Sequence, residues 1–175
     1  DLIIRTRDGV DFRVHRSLLS LASRVFRDML TLDQTALPSS SPIHVVDVSE
    51  VSAHLEAILR YLYPYPSPVL TSLDQLVVLL EIADKYEFSV IMIALEDVLV
   101  TGHFWKTDNI RAFGVSRKFK LTRWQAVVEP ELLKQPYHVM HSASPSSEED
   151  AVTAEDLRRF DWYRNHRVSA AVELL

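Results

Sequence analysis

Asp1–Leu30, the stretch DLIIRTRDGVDFRVHRSLLSLASRVFRDML, decides the fold. Two short apolar runs, Leu2–Ile4 and Val10–Val14, flank Asp8-Gly9. That dipeptide is typical of a tight turn, because glycine adopts a positive φ without steric cost. The pattern predicts a β-hairpin. After His15 the apolar residues recur at helical spacing, which predicts two short helices.

The composition is that of a globular domain. The chain has 175 residues, of which 47% are hydrophobic and 25% charged, enough for one domain with or without an extension. It contains no cysteine, which excludes disulfides, thiolate metal sites and cysteine catalysis. No apolar run approaches the roughly eighteen residues of a membrane span. The chain begins at Asp1 without an initiator methionine, so we expect it to be part of a longer protein.

The charge balance argues against nucleic acid as a partner. The formal net charge is −5, whereas binding to a polyanion requires a concentrated basic face. The nearest candidate cluster is Arg111, Arg117, Lys118, Lys120 and Arg123. These residues are spread over a predicted helix and the turn after it, which is typical of a solvated helix face.

The middle of the first half continues the mixed pattern. Thr31–Pro42 has little periodicity and is predicted to be a loop. Ile43–Val48 is rich in β-branched residues and predicts a strand. We expect Ser49 or Ser52 to cap the next helix, which ends at the proline-rich Pro64–Pro68.

Two further helices follow. Ser72 and Gln75 have the spacing of a capping box, and Ser89 can cap another helix. For that second helix we expect one apolar side formed by Val90, Ile93, Ala94 and Val98. The order β-β-α-α-β-α-α-α is not the alternation of a parallel sheet. It predicts an α+β fold, with a small three-stranded sheet packed on a bundle of about five helices.

The last third stays helical in pattern. Ile110–Leu121 predicts one helix, and a capping box opens another at Thr122, interrupted or tilted at Pro130. His138–Asp150 is rich in serine and acidic residues and is expected to be flexible. Thr153–Asp156 is predicted to cap a last helix, whose aromatic residues need a surface to pack against.

Several spaced residues resemble one known family. The opening agrees with an Asp before the first strand, followed by F-x-x-H-x-x-x-L-x-x-x-S-x-x-F-x-x-x-L, the pattern of the BTB/POZ domain. The matching residues are Asp1, Phe12, His15, Leu19, Ser23, Phe26 and Leu30. Tyr61–Pro64 resembles the family's Y-T-G-like helix end, and Leu79–Tyr86 resembles its L-L-x-A-A-D-K-Y segment. The proline-rich joint is most similar to that of BTB proteins from fungi.

The resemblance implies a domain plan and a function. It places a BTB core at 1–101, a helical extension at 102–136, a flexible loop at 137–152 and a C-terminal helix at 153–175 that packs back on the body. BTB domains are interaction modules, so we expect self-association or adaptor binding, with no enzymatic activity, cofactor or membrane. We also expect an intracellular protein, of the cytoplasm or the nucleus.

The resemblance also suggests interaction residues. In BTB proteins the residues matching Asp1 and Arg16 line a charged pocket near the dimer interface; an ordinary ion pair between strand and helix is the alternative. Leu18 and Leu19, in the first helix at Ser17–Ser23, are candidates for a symmetric dimer surface.

Tyr63 and Tyr65 are candidates for an interaction patch, because tyrosine is enriched in the cores of interfaces. Packing of Tyr61 or Tyr63 against neighbouring helices is the alternative. Phe12, His15, Ser23 and Phe26 are expected to be structural residues of the motif.

Two other roles stay open. One is a substrate adaptor for a cullin-type ubiquitin ligase. Cullin-binding BTB proteins carry a hydrophobic-x-acidic motif after the helix that ends at the proline joint, and Ser67–Leu73 contains no acidic residue. The other is a nuclear or transcriptional regulator, although the chain contains neither a zinc finger nor a basic region.

Catalytic and metal-binding motifs are weak or missing. With three glycines in the whole chain, no phosphate-cradling loop is present, and no nucleophile motif occurs. His138 and His141 could bind a metal together with Glu148–Asp150, but zinc ligands usually have a tighter fixed spacing. We interpret them as surface residues and expect no metal site.

Overall fold

The computed structural model describes residues 1–33, 44–106, 108–134 and 151–162. The chain divides into two compact units, Asp1–Leu95 and Glu96–Leu175. The expected flexible segment His138–Asp150 lies outside the described residues, as does most of the predicted loop Thr31–Pro42. The start of that loop is helical instead, because the second helix continues to Asp33.

The first unit has the predicted α+β composition of a small sheet and helices. Its elements are β1 (Leu2–Arg5), β2 (Asp11–Val14), α1 (Arg16–Ala22), α2 (Arg24–Asp33), β3 (His44–Asp47), α3 (Ser52–Leu62) and α4 (Leu73–Lys85). Helix α5 (Ser89–Gly102) begins in this unit and crosses the boundary to the second.

The predicted hairpin is confirmed. Gly9 has a φ of 79°, and its amide donates to the Thr6 carbonyl at 2.9 Å. The sheet order is β2-β1-β3, with β1 antiparallel to β2 and parallel to β3. Leu2 is therefore paired with both Val14 and His44. Among the described residues strand β1 is central, and β2 and β3 are the edges.

The core of this unit collects one face of the sheet and one stripe of each helix. The side chains of Leu2 and Ile4 are buried while Arg5 is exposed, as the two-residue period of a strand requires. The helices contribute Leu19, Phe26, Leu30, Leu55, Ile58, Leu76 and Leu80, all at most 3% exposed.

The helix α4 begins as its capping box predicts, but α3 does not begin with the predicted cap. Ser72 Oγ accepts from the Gln75 amide at 3.3 Å. At α3 the capping position is Val51, and no side chain caps it. Ser52 is instead held by Asp8, which accepts from its amide at 2.9 Å and its hydroxyl at 2.6 Å. The hairpin turn thus supplies the acceptor that a capping serine would have provided.

The predicted apolar side of α5 was wrong. Val90 is 61% and Ile93 57% exposed, whereas Ile91, Leu95 and Leu99 are fully buried. The helix has apolar residues on all sides, so its periodicity does not select a face.

The second unit is helical where it is described. Its elements are a 3-10 turn (Phe104–Lys106), α6 (Asn109–Lys118), α7 (Thr122–Lys134) and the helical residues 154–162. Of the interruption or tilt predicted at Pro130, the interruption is absent, since α7 runs through this residue. Thr153 and Asp156 form the predicted reciprocal cap. The Asp156 amide donates to Thr153 Oγ1 at 3.1 Å, and the Thr153 amide donates to Asp156 Oδ2 at 3.0 Å.

Aromatic residues pack the interior of the second unit. Phe160 is 1% exposed and meets Phe113 edge to face, with ring centroids 5.1 Å apart. The indole nitrogen of the buried Trp124 donates to the Ala112 carbonyl at 3.1 Å. Glu96 accepts from the amides of Arg123 and Trp124 and so caps the start of α7. None of the described helices is long and apolar enough to cross a membrane.

Candidate interaction surfaces

The family-like residues Ser23 and Phe26 join the two opening helices to α4. Ser23 is fully buried, and its hydroxyl donates to the Tyr86 carbonyl at 2.5 Å while accepting from the Phe26 amide at 3.0 Å. The Phe26 ring stacks on Tyr86 with centroids 5.0 Å apart and also contacts Phe88. One serine therefore ends α1, begins α2 and binds the end of α4.

Asp1 and Arg16 are in contact, though not through both side chains. The Asp1 carboxylate accepts from the backbone amide of Arg16 at 2.8 Å, at the first turn of α1. The guanidinium of Arg16 donates to the Leu30 carbonyl, near the end of α2. A carboxylate at a helix start and a cation near a helix end both complement the helix dipole. The pair thus stabilises α1 and α2.

The first helix exposes one leucine that the sequence reasoning missed. Leu18 is partly exposed, Leu19 is 1% exposed, and Leu21 is 78% exposed. Leu19 is therefore a core residue in this structure. Leu21 follows it by two positions, which on a helix lie on nearly opposite sides, and this spacing is the signal that could have found it.

Helix α2 packs against α1 and also keeps apolar surface. Val25 and Met29 are partly exposed and Leu32 is 72% exposed, at i, i+4 and i+7 on one stripe. We call Leu18, Leu21, Val25, Met29 and Leu32 together the opening-helix surface.

A second surface runs along β2. A groove of about 650 Å³, which we call the edge groove, has Phe12, Val14, Leu59, Tyr63, Tyr65 and Pro66 as its apolar and aromatic lining, with Arg13, His15, Glu56 and Arg60 as its polar lining. The structure thus brings the predicted residues Tyr63 and Tyr65 together with Phe12 and His15 of the motif. Tyr65 is 68% exposed.

Within this groove Tyr63 contacts His15. Its hydroxyl accepts from the His15 amide at 2.8 Å and lies 3.1 Å from His15 Nδ1. The two rings are 5.7 Å apart. The ring of His15 was expected to bind local backbone groups, but its Nδ1 lies by a tyrosine at the end of α3. The structural role of this histidine stays a prediction.

Another polar cluster surrounds Glu50, which the sequence reasoning did not identify. Lys85 donates to its carboxylate at 2.6 Å and the Tyr86 hydroxyl at 2.7 Å. Burial opposes the charged form of Glu50, but these hydrogen bonds outweigh it and lower the pKa of the carboxyl. Burial, and then the hydrogen bond to Glu50, raise the pKa of Tyr86. No sequence motif signals this contact between residues 35 and 36 positions apart.

Asp8 is a second perturbed carboxyl. Hydrogen bonds from Ser52 and then Thr6 lower its pKa to about 2. It faces solvent and holds the hairpin turn to α3.

Within the described ranges no group of histidine and carboxylate side chains could hold a metal ion. The candidates His138, His141 and Glu148–Asp150 lie outside those ranges.

The comparisons agree with the fold. A search of curated proteins found no match. The family model described as the BTB/POZ domain matches residues 1–103, which is more than half of the chain. Domains of this family are protein–protein interaction modules, and the chain belongs to the BTB/POZ family.

Proposed function

We propose that this protein is a non-enzymatic interaction module that self-associates through the opening-helix surface. The observation that supports this most is the 78% exposure of Leu21 in a domain whose other α1 leucines are partly or fully buried. We infer that Leu21 and the exposed apolar residues of α2 form one patch, and an exposed apolar patch is typical of an interface.

The size of the surface requires both helices. Helix α1 has seven residues and is about 10 Å long at the usual rise per residue. Stable interfaces bury about 800 Å² on each partner, more than so short a helix can offer. The stripe of α2 supplies the additional apolar area.

A polar rim completes the surface. Leu21 also lines a groove of about 380 Å³ that contains Arg24, Arg27, Asp84 and Glu87. Charged residues around an apolar centre are the usual arrangement of a reversible interface. The mechanism is the burial of apolar area against a second copy, with no bond made or broken.

Light scattering over a concentration series tests self-association. We expect a dimer that dissociates on dilution, and Leu21→Asp should give a monomer with an unchanged circular dichroism spectrum. Val69→Asp is the matched control, because Val69 is 87% exposed and lies outside α1 and α2; it should still dimerise. A wild-type protein that is monomeric at every concentration would contradict the proposal.

The cullin-adaptor and transcriptional hypotheses stay predictions of the resemblance. The cullin-adaptor hypothesis predicts that the purified chain binds a cullin N-terminal domain. Because residues 67–73 contain no acidic side chain, we expect no binding at high micromolar concentration, and that result would rule this hypothesis out.

A further inference from the structure

We infer that the outer edge of β2 binds an extended acidic peptide of another protein as an added strand, with its alternate side chains in the edge groove. This inference rests on the proposed function, because it gives the interaction module a second surface and a class of partner. Strand addition to an open sheet edge is a general mode of peptide recognition.

The backbone of β2 is arranged for such an addition. In an antiparallel pair, alternate residues direct their backbone groups to the neighbouring strand. The Thr6 amide donates to the Val10 carbonyl at 3.0 Å, which places Phe12 and Val14 in the same bonded set facing β1. Asp11 and Arg13 therefore direct their amides and carbonyls outward, where the described sheet has no further strand.

The next outward amide confirms this direction. His15 follows Asp11 and Arg13 at two-residue steps and so belongs to the same outward-facing set. Its amide donates to the Tyr63 hydroxyl at 2.8 Å. A side-chain oxygen thus occupies the position that a carbonyl of an added strand would take. Tyr63 ends the open edge, which leaves the donors and acceptors of Asp11 and Arg13 for a peptide.

The groove specifies apolar residues at every second position of the peptide. Successive side chains of a strand point to opposite faces of the sheet. Those on the same face as Phe12 and Val14 would meet the apolar wall that Leu59, Tyr63 and Tyr65 provide.

The charges along β2 favour acidic residues at the peptide positions between these apolar ones. Asp11 is paired with Arg5 at 2.7 Å, and Glu56 with Arg60 at 2.7 Å. Arg13 is exposed and has no ion pair among the described residues. The charge left unpaired along the edge is therefore positive, and a carboxylate directly opposite Arg13 would be favourable. A second copy would bring the same positive edge, so an acidic strand of another protein fits better.

The experiment uses two end-blocked nonapeptides, one alternating valine with glutamate and one alternating valine with lysine. Each is titrated into the isotope-labelled chain by NMR. We expect saturable binding of the glutamate peptide, with the Asp11 and Arg13 amides gaining protection from hydrogen exchange. No binding at millimolar concentration, or binding without protection of these amides, would overturn the inference. Protection that grows with protein concentration before any peptide is added would also overturn it, by assigning the edge to a second copy.

A charge reversal tests the specificity. Arg13→Glu should weaken binding of the glutamate peptide by about three- to tenfold and strengthen that of the lysine peptide. Arg7→Glu is the matched control, because Arg7 is also exposed but lies in the turn outside β2; it should leave the preference unchanged. An unaltered preference in Arg13→Glu would refute the role of this residue.

A peptide-side control keeps the test independent of any variant's folding. Methylation of the backbone nitrogens on one alternate set of residues should abolish binding to the wild-type protein, and methylation of the other set should not. Equal binding of the two methylated peptides excludes strand addition. All titrations are repeated on Leu21→Asp. A variant that still self-associates and binds the peptide contradicts only the opening-helix surface, whereas a monomeric variant that, like the wild type, does not bind the peptide contradicts only the edge inference.

Discussion

The Tyr63 hydroxyl accepts a hydrogen bond from the His15 amide at 2.8 Å, across 48 positions of sequence. This bond ties the junction of β2 and α1 to the end of α3. Both residues line the edge groove, so the contact fixes one end of a candidate binding surface as well as stabilising the fold.

Removing the hydroxyl measures this bond. Tyr63→Phe should lower the free energy of unfolding by about 0.5–1.5 kcal/mol, the usual net value of one hydrogen bond. Urea denaturation gives the number. Tyr65→Phe is the control, since Tyr65 is 68% exposed, and it should unfold like the wild type. Equal free energies of unfolding for all three proteins would show that water replaces the Tyr63 hydroxyl without loss of stability.

Ser23 should be among the least replaceable polar residues. Ser23→Ala leaves the Tyr86 carbonyl and the Phe26 amide without their partner in a fully buried site. We expect a loss of about 1–3 kcal/mol in the free energy of unfolding. Ser17→Ala, at an exposed position of α1, should change it far less. A similar stability for the two alanine variants would contradict the assigned role.

Glu50 should make stability depend on acid pH. Its pKa is lowered in the folded protein, so its contribution is complete above the unfolded value near 4.5 and is lost as the pH falls through the folded value. The free energy of unfolding should therefore fall on acidification below about pH 4.5. Glu50→Gln should flatten this decline, and Glu56→Gln serves as an exposed control. A decline of unchanged steepness in Glu50→Gln would rule out this carboxyl as a source.

Phe160 should be essential to the second unit. Phe160→Ala removes a fully buried ring from its contact with Phe113, at an expected cost of about 3–5 kcal/mol. Tryptophan fluorescence reports unfolding of this unit during denaturation, because all three tryptophans, the buried Trp124 among them, lie in it. Leu157→Ala is the control, because Leu157 is 39% exposed. A stable Phe160→Ala protein would mean that residues 154–162 are not part of the folded unit.

The features that sequence predicted are local ones. The turn at Gly9 and the capping box at Ser72 each depend on residues within a few positions, and each was found. The contacts that sequence could not predict are distant in the chain. Ser52 binds Asp8 across 44 positions, so the expected cap of α3 failed even though serine is there.

The candidate surfaces show the same division. Tyr63 and Tyr65 were identified by residue type, but their juxtaposition with β2 needed the fold. Leu19 and Leu21 differ in burial because the core selects one side of α1. The exposure of Val90 and Ile93 could not be predicted, because apolar residues lie on several sides of α5. Residue type suggests what a surface can bind, whereas packing decides which residues belong to it.

The position of β1 in the sheet has a consequence for synthesis. The central strand is made before both of its neighbours, and Leu2 must wait for His44 to complete its parallel pairing. In a nascent chain the side of β1 that pairs with β3 therefore has no partner strand from this sheet until α1 and α2 have emerged. Non-local parallel pairing is intrinsically slow to form. During translation the first unit therefore passes through an interval, between its second and third strands, in which one edge of β1 is open to wrong pairing.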